Sequence, residues 1–251
     1  MRRFLAAVGF LTIIPLPRSM KIEAGDHGGS APFYPLVGLL IGVFLALLYW
    51  GLKPLAPGLP VAVLLVAAMS MVSGGLHIDG LADTADGFMS GKPSQGVLEI
   101  MKDSRMGPMG GFVMLCVLML KITSLAVMDG DVPAFALALA AVAGRSAMSL
   151  AIVFFPYVRP GGLGAAFDGR AGWGTALVAL LFTGVIGAAA GFITLTKAGY
   201  FMWAVTLAWT VVFGLYCRRR IGGMTGDTYG ALCETTEALC LLIVAGYIYG
   251  G

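Results

Sequence analysis

Seven apolar segments of about twenty residues occupy most of this 251-residue chain. An α-helix of roughly that length crosses the hydrocarbon core of a bilayer. The sequence is 59% hydrophobic and 12% charged, its mean hydropathy is +0.91, and it has no polar block long enough for a separate soluble domain. We therefore predict an all-α, polytopic integral membrane helical bundle, one membrane-embedded domain over residues 1–251. The predicted spans lie near 31–50, 60–75, 108–127, 133–155, 174–195, 199–217 and 230–250.

The N-terminal segment, Arg2 to Pro17, is too short to cross the bilayer comfortably. Its basic residues precede an apolar run, as in a signal peptide, but Pro15 and Pro17 end the run and no small-residue cleavage site is evident. We expect this segment to be retained as an interfacial or re-entrant helix.

Basic residues fall unevenly among the loops. Lys53 and Lys197 are assigned to one side, against twelve Lys and Arg residues in the N-terminal segment and alternate loops. The positive-inside rule then places the N-terminus, the loop after the second span and the Arg218–Arg220 run in the cytoplasm, and the Asp129–Asp131 turn outside. The net charge of +3 reflects this anchoring and does not indicate nucleic-acid binding. The twelve are Arg2, Arg3, Arg18, Lys21, Lys92, Lys102, Arg105, Arg159, Arg170, Arg218, Arg219 and Arg220.

Four cysteines lie in or beside the predicted spans without a CxxC pair or a histidine cluster. Such cysteines are typically small apolar core residues in reduced form. We expect this of Cys116, Cys217, Cys233 and Cys240.

The first acidic cluster is Asp79, Asp83 and Asp86, directly after the second predicted span. If residues 78–88 are helical, the three carboxylates share an arc of about 60°. Three like charges so close raise one another's pKa values unless a cation lies among them. Carboxylates without a Cys or His cluster suit Mg²⁺ or Mn²⁺, and Mg²⁺ often bridges to substrate phosphates. The alternative is a solvated acidic loop face.

The second cluster lies in the same loop, just before the third span. Arg105 offers a planar fork for phosphate oxygens, Lys102 a point charge, and Asp103 a further metal ligand or base. An ordinary basic patch beside the membrane, with one salt bridge, is the alternative.

The third cluster is the segment Gly222–Glu237, in which a glycine-rich turn carrying Asp227 runs into the last span. Glu234 and Glu237 are three residues apart and face the same side. Acids in the first turns of a helix also complement its dipole, which is the structural alternative. We predict that both glutamates share a polar cavity with the Asp79 cluster.

Three isolated polar residues complete the set. Arg145 lies midway along the fourth span and should face the bundle interior with an anionic partner, either a substrate phosphate or an acid. Lys121 can snorkel to the interface and receives no role. His77, two residues before Asp79, is a base, a substrate ligand or a helix cap.

These motifs together resemble the cobalamin synthase family, the adenosylcobinamide-GDP ribazoletransferases. The likeness extends almost from end to end in the same order, although Met106-Gly107-Pro108-Met109 replaces the Gly-Thr that follows the DSR segment in many relatives. The segments that carry it are FLTIIPLP (10–17), FYPLVGLLIG (33–42), HIDGLADTADGF (77–88), KDSRMGPMGG (102–111) and GGMTGDTYGALCETTE (222–237).

The resemblance implies an enzyme of nucleotide-loop assembly in the bacterial cytoplasmic (inner) membrane, with its active site facing the cytoplasm. Such enzymes join adenosylcobinamide-GDP to α-ribazole or α-ribazole 5′-phosphate, release GMP and require Mg²⁺. Membrane lipid is a further expected partner. Other cobalamin-pathway enzymes and a second copy of the chain stay open as partners, and nucleic acid is not expected.

Combined with this family chemistry, the clusters predict an in-line phosphoryl transfer with metal bound by Asp79, Asp83 and Asp86. The general base stays open among Asp103, His77, Glu234 and Glu237. The expected catalytic residues are Asp79, Asp83, Asp86, His77, Asp103, Arg105, Glu234 and Glu237, and the expected substrate-binding residues are Lys102, Ser104, Arg145, Thr225 and Asp227.

Two other classes of membrane protein compete with this interpretation. One is another transferase, of the CDP-alcohol phosphotransferase or aspartate-rich prenyltransferase type, although the D-x3-D-x2-D-G spacing fits the usual pattern of neither. The other is a cation-coupled transporter in which Asp83, Arg145 and Glu234 form an ion relay near the membrane midplane.

Overall fold

The computed structural model describes residues 1–16, 23–56, 58–159, 172–194 and 198–249, and the regular elements in that part of the chain are helices. The all-α prediction is confirmed, with an isolated bridge between Tyr157 and Met224 as the extended pairing observed. A short 3₁₀ helix at Ala31–Phe33 leads into α3. The α-helices are α1 Arg2–Leu11, α2 Ala24–Gly28, α3 Tyr34–Leu52, α4 Gly58–Val72, α5 Leu76–Met89, α6 Ser94–Ile100, α7 Pro108–Ala126, α8 Val132–Phe154, α9 Trp173–Thr194, α10 Ala198–Ile221 and α11 Gly226–Tyr249.

Five of the described helices are long and apolar enough to cross a membrane: α3 with its 3₁₀ lead, α7, α8, α10 and α11. The chain is therefore an integral membrane protein. Seven spans were predicted, and five described helices meet this criterion. The described apolar stretch of α9, Trp173–Ala189, is shorter than a full span, and α4 forms a sixth span only together with α5, from which it is bent by 89°.

Two glycines produce the bend between α4 and α5. Gly74 and Gly75 have φ angles of +64° and +77°, in the left-handed region that favours glycine. The Gly75 N–H donates to the carbonyl of Ser70 at 3.0 Å, which closes the end of α4. As a result α5 leaves the direction of α4 and lies across the N-terminal ends of α7 and α11, outside the five spanning helices.

Helix α8 lies at the centre of the bundle and is buried along most of its length. Helix α3 packs closely on it because Gly38 and Gly42 present no side chain there. A Cβ at Gly38 would lie 2.6 Å from the carbonyl oxygen of Ala141, and one at Gly42 would lie 2.5 Å from the Cα of Ala138. The two backbones therefore determine the contact, as at small-residue crossings in membranes.

Gly42→Ala is expected to destabilise the protein by about 1–3 kcal/mol, since the added methyl group meets backbone that cannot rotate away. The thermal unfolding midpoint in detergent measures this change. Gly51→Ala is the matched control on the same helix, because no described atom lies within 4 Å of a Cβ there. Equal midpoints for the two variants would contradict the close crossing of α3 and α8.

Apart from the buried Lys121 and Arg145, the described basic residues separate between the two ends of the bundle. Lys53 lies at the end opposite α5, where its Nζ contacts the carbonyl of Gly130 at 2.8 Å and the carboxylate of Asp131 at 3.1 Å. At the α5 end, Arg220 donates to the carbonyls of Lys92 and Phe88. The predicted charge asymmetry is thus present, while Arg18, Lys21, Arg170 and Lys197 lie outside the described residues.

The N-terminal segment forms a short helix, α1, as predicted, and this helix buries Ala6, Ala7 and Leu11 against the bundle.

All four cysteines are free, as predicted. Three of them are buried in the core, whereas Cys116 is exposed on α7, so the predicted core position is wrong for that residue.

Candidate active site

Helix α5 crosses the start of α11 at very close range. A Cβ at Gly80 would lie 2.7 Å from the carbonyl oxygen of Asp227, and one at Gly230 would lie 3.0 Å from the Cα of His77. Neither position accommodates a side chain without moving backbone. This crossing brings the acidic face of α5 beside Asp227. Glu234 and Glu237, which were predicted to share a cavity with the Asp79 cluster, are not among the described residues that line it.

A cavity of about 460 Å³ opens along this face of α5. Asp79 and Asp83 line it, together with the glycine bend and with Ser104 and Met106 of the loop before α7. Residues of the first cluster and of the segment that carries the second cluster therefore share one cavity. Its further lining residues are Leu76, Ile78, Ala82 and Met114.

The electrostatics of this cavity are dominated by negative charge. Burial, followed by the neighbouring carboxylates of Asp79 and Asp227, raises the pKa of Asp83 to about 7. A divalent cation would relieve this repulsion, so the donor set fits Mg²⁺. Among the described residues, no three Asp, Glu, His or Cys side chains form a metal site by themselves. That is compatible with Mg²⁺, which commonly takes one or two carboxylates and completes its shell with water and substrate phosphates.

Asp86 has a different environment from Asp79 and Asp83. Its carboxylate accepts the backbone N–H groups of Gly107 at 2.6 Å and Gly110 at 2.8 Å, and so caps the N-terminus of α7. A Cβ at either glycine would collide with this carboxylate. The structure thus gives Asp86 a positioning contact, and Asp86 is not among the described residues that line the cavity with Asp79 and Asp83.

The charged residues of the second cluster are exposed. Arg105 forms a forked pair with Asp103, with Nη2 2.7 Å from Oδ2, and its hydrogen bonds lower the pKa of that carboxyl to about 2. Lys102 is also exposed. This arrangement matches the salt-bridged patch named as the alternative, and Ser104 is the member of the predicted set that lines the cavity.

Arg159 contacts Asp227 at the start of α11, and the sequence predicted only an anchoring charge there. Its Nη1 lies 2.7 Å from Asp227 Oδ2, and its Nη2 donates to the carbonyl of Met101 at 3.2 Å. It therefore connects the start of α11 to the loop that carries Ser104. The sequence signal was a lone arginine just after an apolar span, which local patterning does not distinguish from an anchoring charge.

The two glutamates of the third cluster are buried inside the bundle. Lys121 Nζ lies 2.6 Å from Glu234 Oε2 and 2.6 Å from Glu237 Oε2, and Arg145 also pairs with Glu237. All four side chains are at most 3% exposed. The prediction that Arg145 faces the interior with an anionic partner is confirmed. Lys121 does not snorkel, and the two glutamates lie two to three turns inside α11 instead of opening the helix.

Two remaining candidates are buried near the start of α11. Thr225 and Thr228 exchange hydrogen bonds between backbone N–H and side-chain hydroxyl, which caps the helix, so the Thr225 hydroxyl serves α11 directly. His77 is 1% exposed, and neither ring nitrogen has a hydrogen-bond partner among the described residues. The close approach of the His77 backbone to Gly230 places this residue in the interface between α5 and α11.

Comparison with known proteins identifies the family to which this chain is similar. The model of the cobalamin-5-phosphate synthase family matches residues 3–245, nearly the whole chain. The chain belongs to that family. No solved structure matches it.

The cobalamin-5-phosphate synthase family includes curated relatives that carry one common name, adenosylcobinamide-GDP ribazoletransferase. A protein from Roseiflexus sp. (strain RS-1) is 40% identical over 94% of this chain and 86% of its own length. One from Pseudomonas fluorescens is also 40% identical, over 96% of this chain and 98% of its own. One from Acetivibrio thermocellus is 35% identical over 97% of each. The resemblance inferred from the motifs is confirmed.

Proposed function

We propose that this chain is a membrane transferase that joins adenosylcobinamide-GDP to α-ribazole or its 5′-phosphate and releases GMP. The observation that carries the proposal is the cavity in which Asp79 and Asp83 face Ser104, in a chain whose full-length relatives bear the name of that activity. Concentrated carboxylates beside a cavity suit a substrate whose reacting group is a metal-bound diphosphate.

The chemistry requires the ribazole hydroxyl to attack the phosphorus nearest the corrinoid side chain, while the bond to the GMP oxygen breaks. Mg²⁺, when held by Asp79 and Asp83, with Asp86 and Asp227 close by, supplies charge neutralisation for the phosphate oxygens. Phosphoryl transfer depends mainly on positioning and electrostatics. The close crossing of α5 and α11 and the Asp86 cap provide that positioning, because they hold the acids and the Ser104 loop on one cavity.

We propose that the chain lies in the inner membrane of a bacterium and that this cavity opens to the cytoplasm. Its end of the bundle carries Arg105, Arg159 and the Arg218–Arg220 run, while the opposite end carries Lys53. The positive-inside rule supports this orientation. A cytoplasmic opening also allows GMP, which is strongly anionic, to leave without crossing lipid.

The purified protein, in detergent with Mg²⁺, is expected to release GMP from adenosylcobinamide-GDP only when α-ribazole or its 5′-phosphate is present. GMP is quantified by chromatography, and removal of Mg²⁺ with a chelator is expected to stop the release. A folded protein that produces no GMP above background under these conditions would refute the proposal.

The transporter alternative predicts a different result. The Arg145 and Glu234 side chains of its proposed relay belong to a closed set of buried ion pairs, whereas Asp83 lines the cavity on α5. Accumulation of a substrate inside sealed vesicles, without any product, would favour a transporter over the transferase.

A further inference from the structure

We infer that Arg159 binds the diphosphate of the nucleotide-activated substrate and stabilises the charge that develops on its oxygens during transfer. This inference rests on the proposed function, since it assigns a residue within the same site. Asp227, its partner, was predicted from the sequence to contact substrate, whereas Arg159 carries no assigned role.

The backbone holds Arg159 in a fixed position against the start of α11. The segment after α8 is extended, and it pairs with Met224 through Val158 N–H to the Met224 carbonyl at 3.0 Å and Met224 N–H to the Pro156 carbonyl at 2.8 Å. Stacking of Tyr157 on Tyr229, with ring centroids 6.4 Å apart, supports the same register. A guanidinium held this way loses little further freedom when it binds an anion.

Arg159 lies beside the cavity helix α5, because its partner Asp227 packs against Gly80 of that helix. The positive charge of Arg159 lowers the pKa of Asp83, whereas the carboxylates of Asp79, Asp227 and Asp86 raise it. Arg105, which the sequence predicted to bind phosphate oxygens, is 87% exposed at its side chain and already paired with Asp103. Arg159 is 18% exposed, so its field is screened less by water.

The guanidinium of Arg159 also retains donors. It offers five N–H groups in a planar fork, and its contacts within the described chain engage Nη1 with Asp227 and Nη2 with Met101. Its buried Nε has no hydrogen-bond partner there. The Nη hydrogens that these contacts leave free can donate to two diphosphate oxygens, as arginine does in forked pairs with phosphates.

The test compares Arg159→Ala and Arg159→Lys with Arg220→Ala. Arg220 is the matched control, because it also donates to backbone carbonyls, at 2.8 and 3.3 Å, but those carbonyls belong to Lys92 and Phe88 at the end of α5 and before α6, not to the start of α11. Arg159→Ala is expected to lower kcat/KM for adenosylcobinamide-GDP about 100-fold and Arg159→Lys about 10-fold, while Arg220→Ala stays within about threefold of wild type.

Two readouts separate diphosphate binding from a structural role. The KM for α-ribazole, which carries no phosphate, is expected to stay unchanged while the KM for adenosylcobinamide-GDP rises. Inorganic pyrophosphate with Mg²⁺ is expected to raise the thermal midpoint of wild type and Arg220→Ala but not that of either Arg159 variant. Arg159→Lys keeps the charge pair with Asp227, so it remains informative if Arg159→Ala does not fold.

The inference is overturned if Arg159→Lys binds pyrophosphate as wild type does and keeps its KM for adenosylcobinamide-GDP within about twofold. Equal increases in both KM values would also overturn it, because they would indicate general distortion of the site. The pyrophosphate measurement needs no turnover. A wild-type protein that binds pyrophosphate through Arg159 but releases no GMP would therefore refute the proposed function and leave this inference intact.

Discussion

Asp83→Asn is expected to lower the rate of GMP release about 1,000-fold while the protein still folds. The substitution keeps the size of the side chain and removes the charge that lines the cavity beside Asp79. Without that charge, the site loses much of its attraction for Mg²⁺ at the diphosphate. GMP release at saturating substrate, measured over a range of Mg²⁺ concentrations, checks the prediction.

The fold of the Asp83→Asn variant should be at least as stable as that of wild type, because the substitution relieves repulsion with Asp79 and Asp227. Asp129→Asn provides the control, since Asp129 lies in the turn at the opposite end of the bundle. Full activity in Asp83→Asn at every Mg²⁺ concentration would remove Asp83 from the site.

Lys121→Met is expected to destabilise the protein by about 3–5 kcal/mol, the largest stability effect that the structure predicts. Lys121 is 1% exposed and neutralises two glutamates. Its removal leaves Glu234 and Glu237 buried with Arg145 as their remaining cation. The yield of folded protein and the thermal midpoint in detergent measure the loss.

Two matched variants identify the cause of that loss. Lys121→Met combined with Glu234→Gln restores charge balance, because Arg145 then faces Glu237 alone, and it should recover part of the stability. Lys53→Met removes an ion pair whose side chains are 45% and 58% exposed, and should cost less than about 1 kcal/mol. Similar losses for Lys121→Met and Lys53→Met would contradict a buried, charge-balanced set of ion pairs.

Helix positions were predictable from the sequence because each apolar run of span length must satisfy its own backbone hydrogen bonds. The acidic face of α5 was predictable for a related reason, since the spacing of Asp79, Asp83 and Asp86 fixes their common side once the segment is helical. The cavity shared with Ser104 followed from both loops lying at one end of the bundle. These three features depend on the local sequence or on the order of the helices along the chain.

The remaining features depend on contacts between distant residues. Lys121 and its partner Glu234 are 113 residues apart, and nothing near Lys121 in sequence distinguishes a buried cation from a snorkelling one. The start of α11 was placed too late because the capping threonines Thr225 and Thr228 look like part of a glycine-rich turn. Arg159 was missed because its partners, Met101 and Asp227, come from two other segments.

The glycine bend between α4 and α5 also affects how the chain enters the membrane during synthesis. An aspartate at the centre of an inserting helix costs roughly 2.5–3.5 kcal/mol, so three in succession would outweigh the apolar residues that promote insertion. Helix α4 has no charged residue and ends before Gly74 and Gly75, so the insertion cost of the three aspartates falls outside it. Membrane insertion therefore constrains the sequence of α4, and catalysis constrains the sequence of α5.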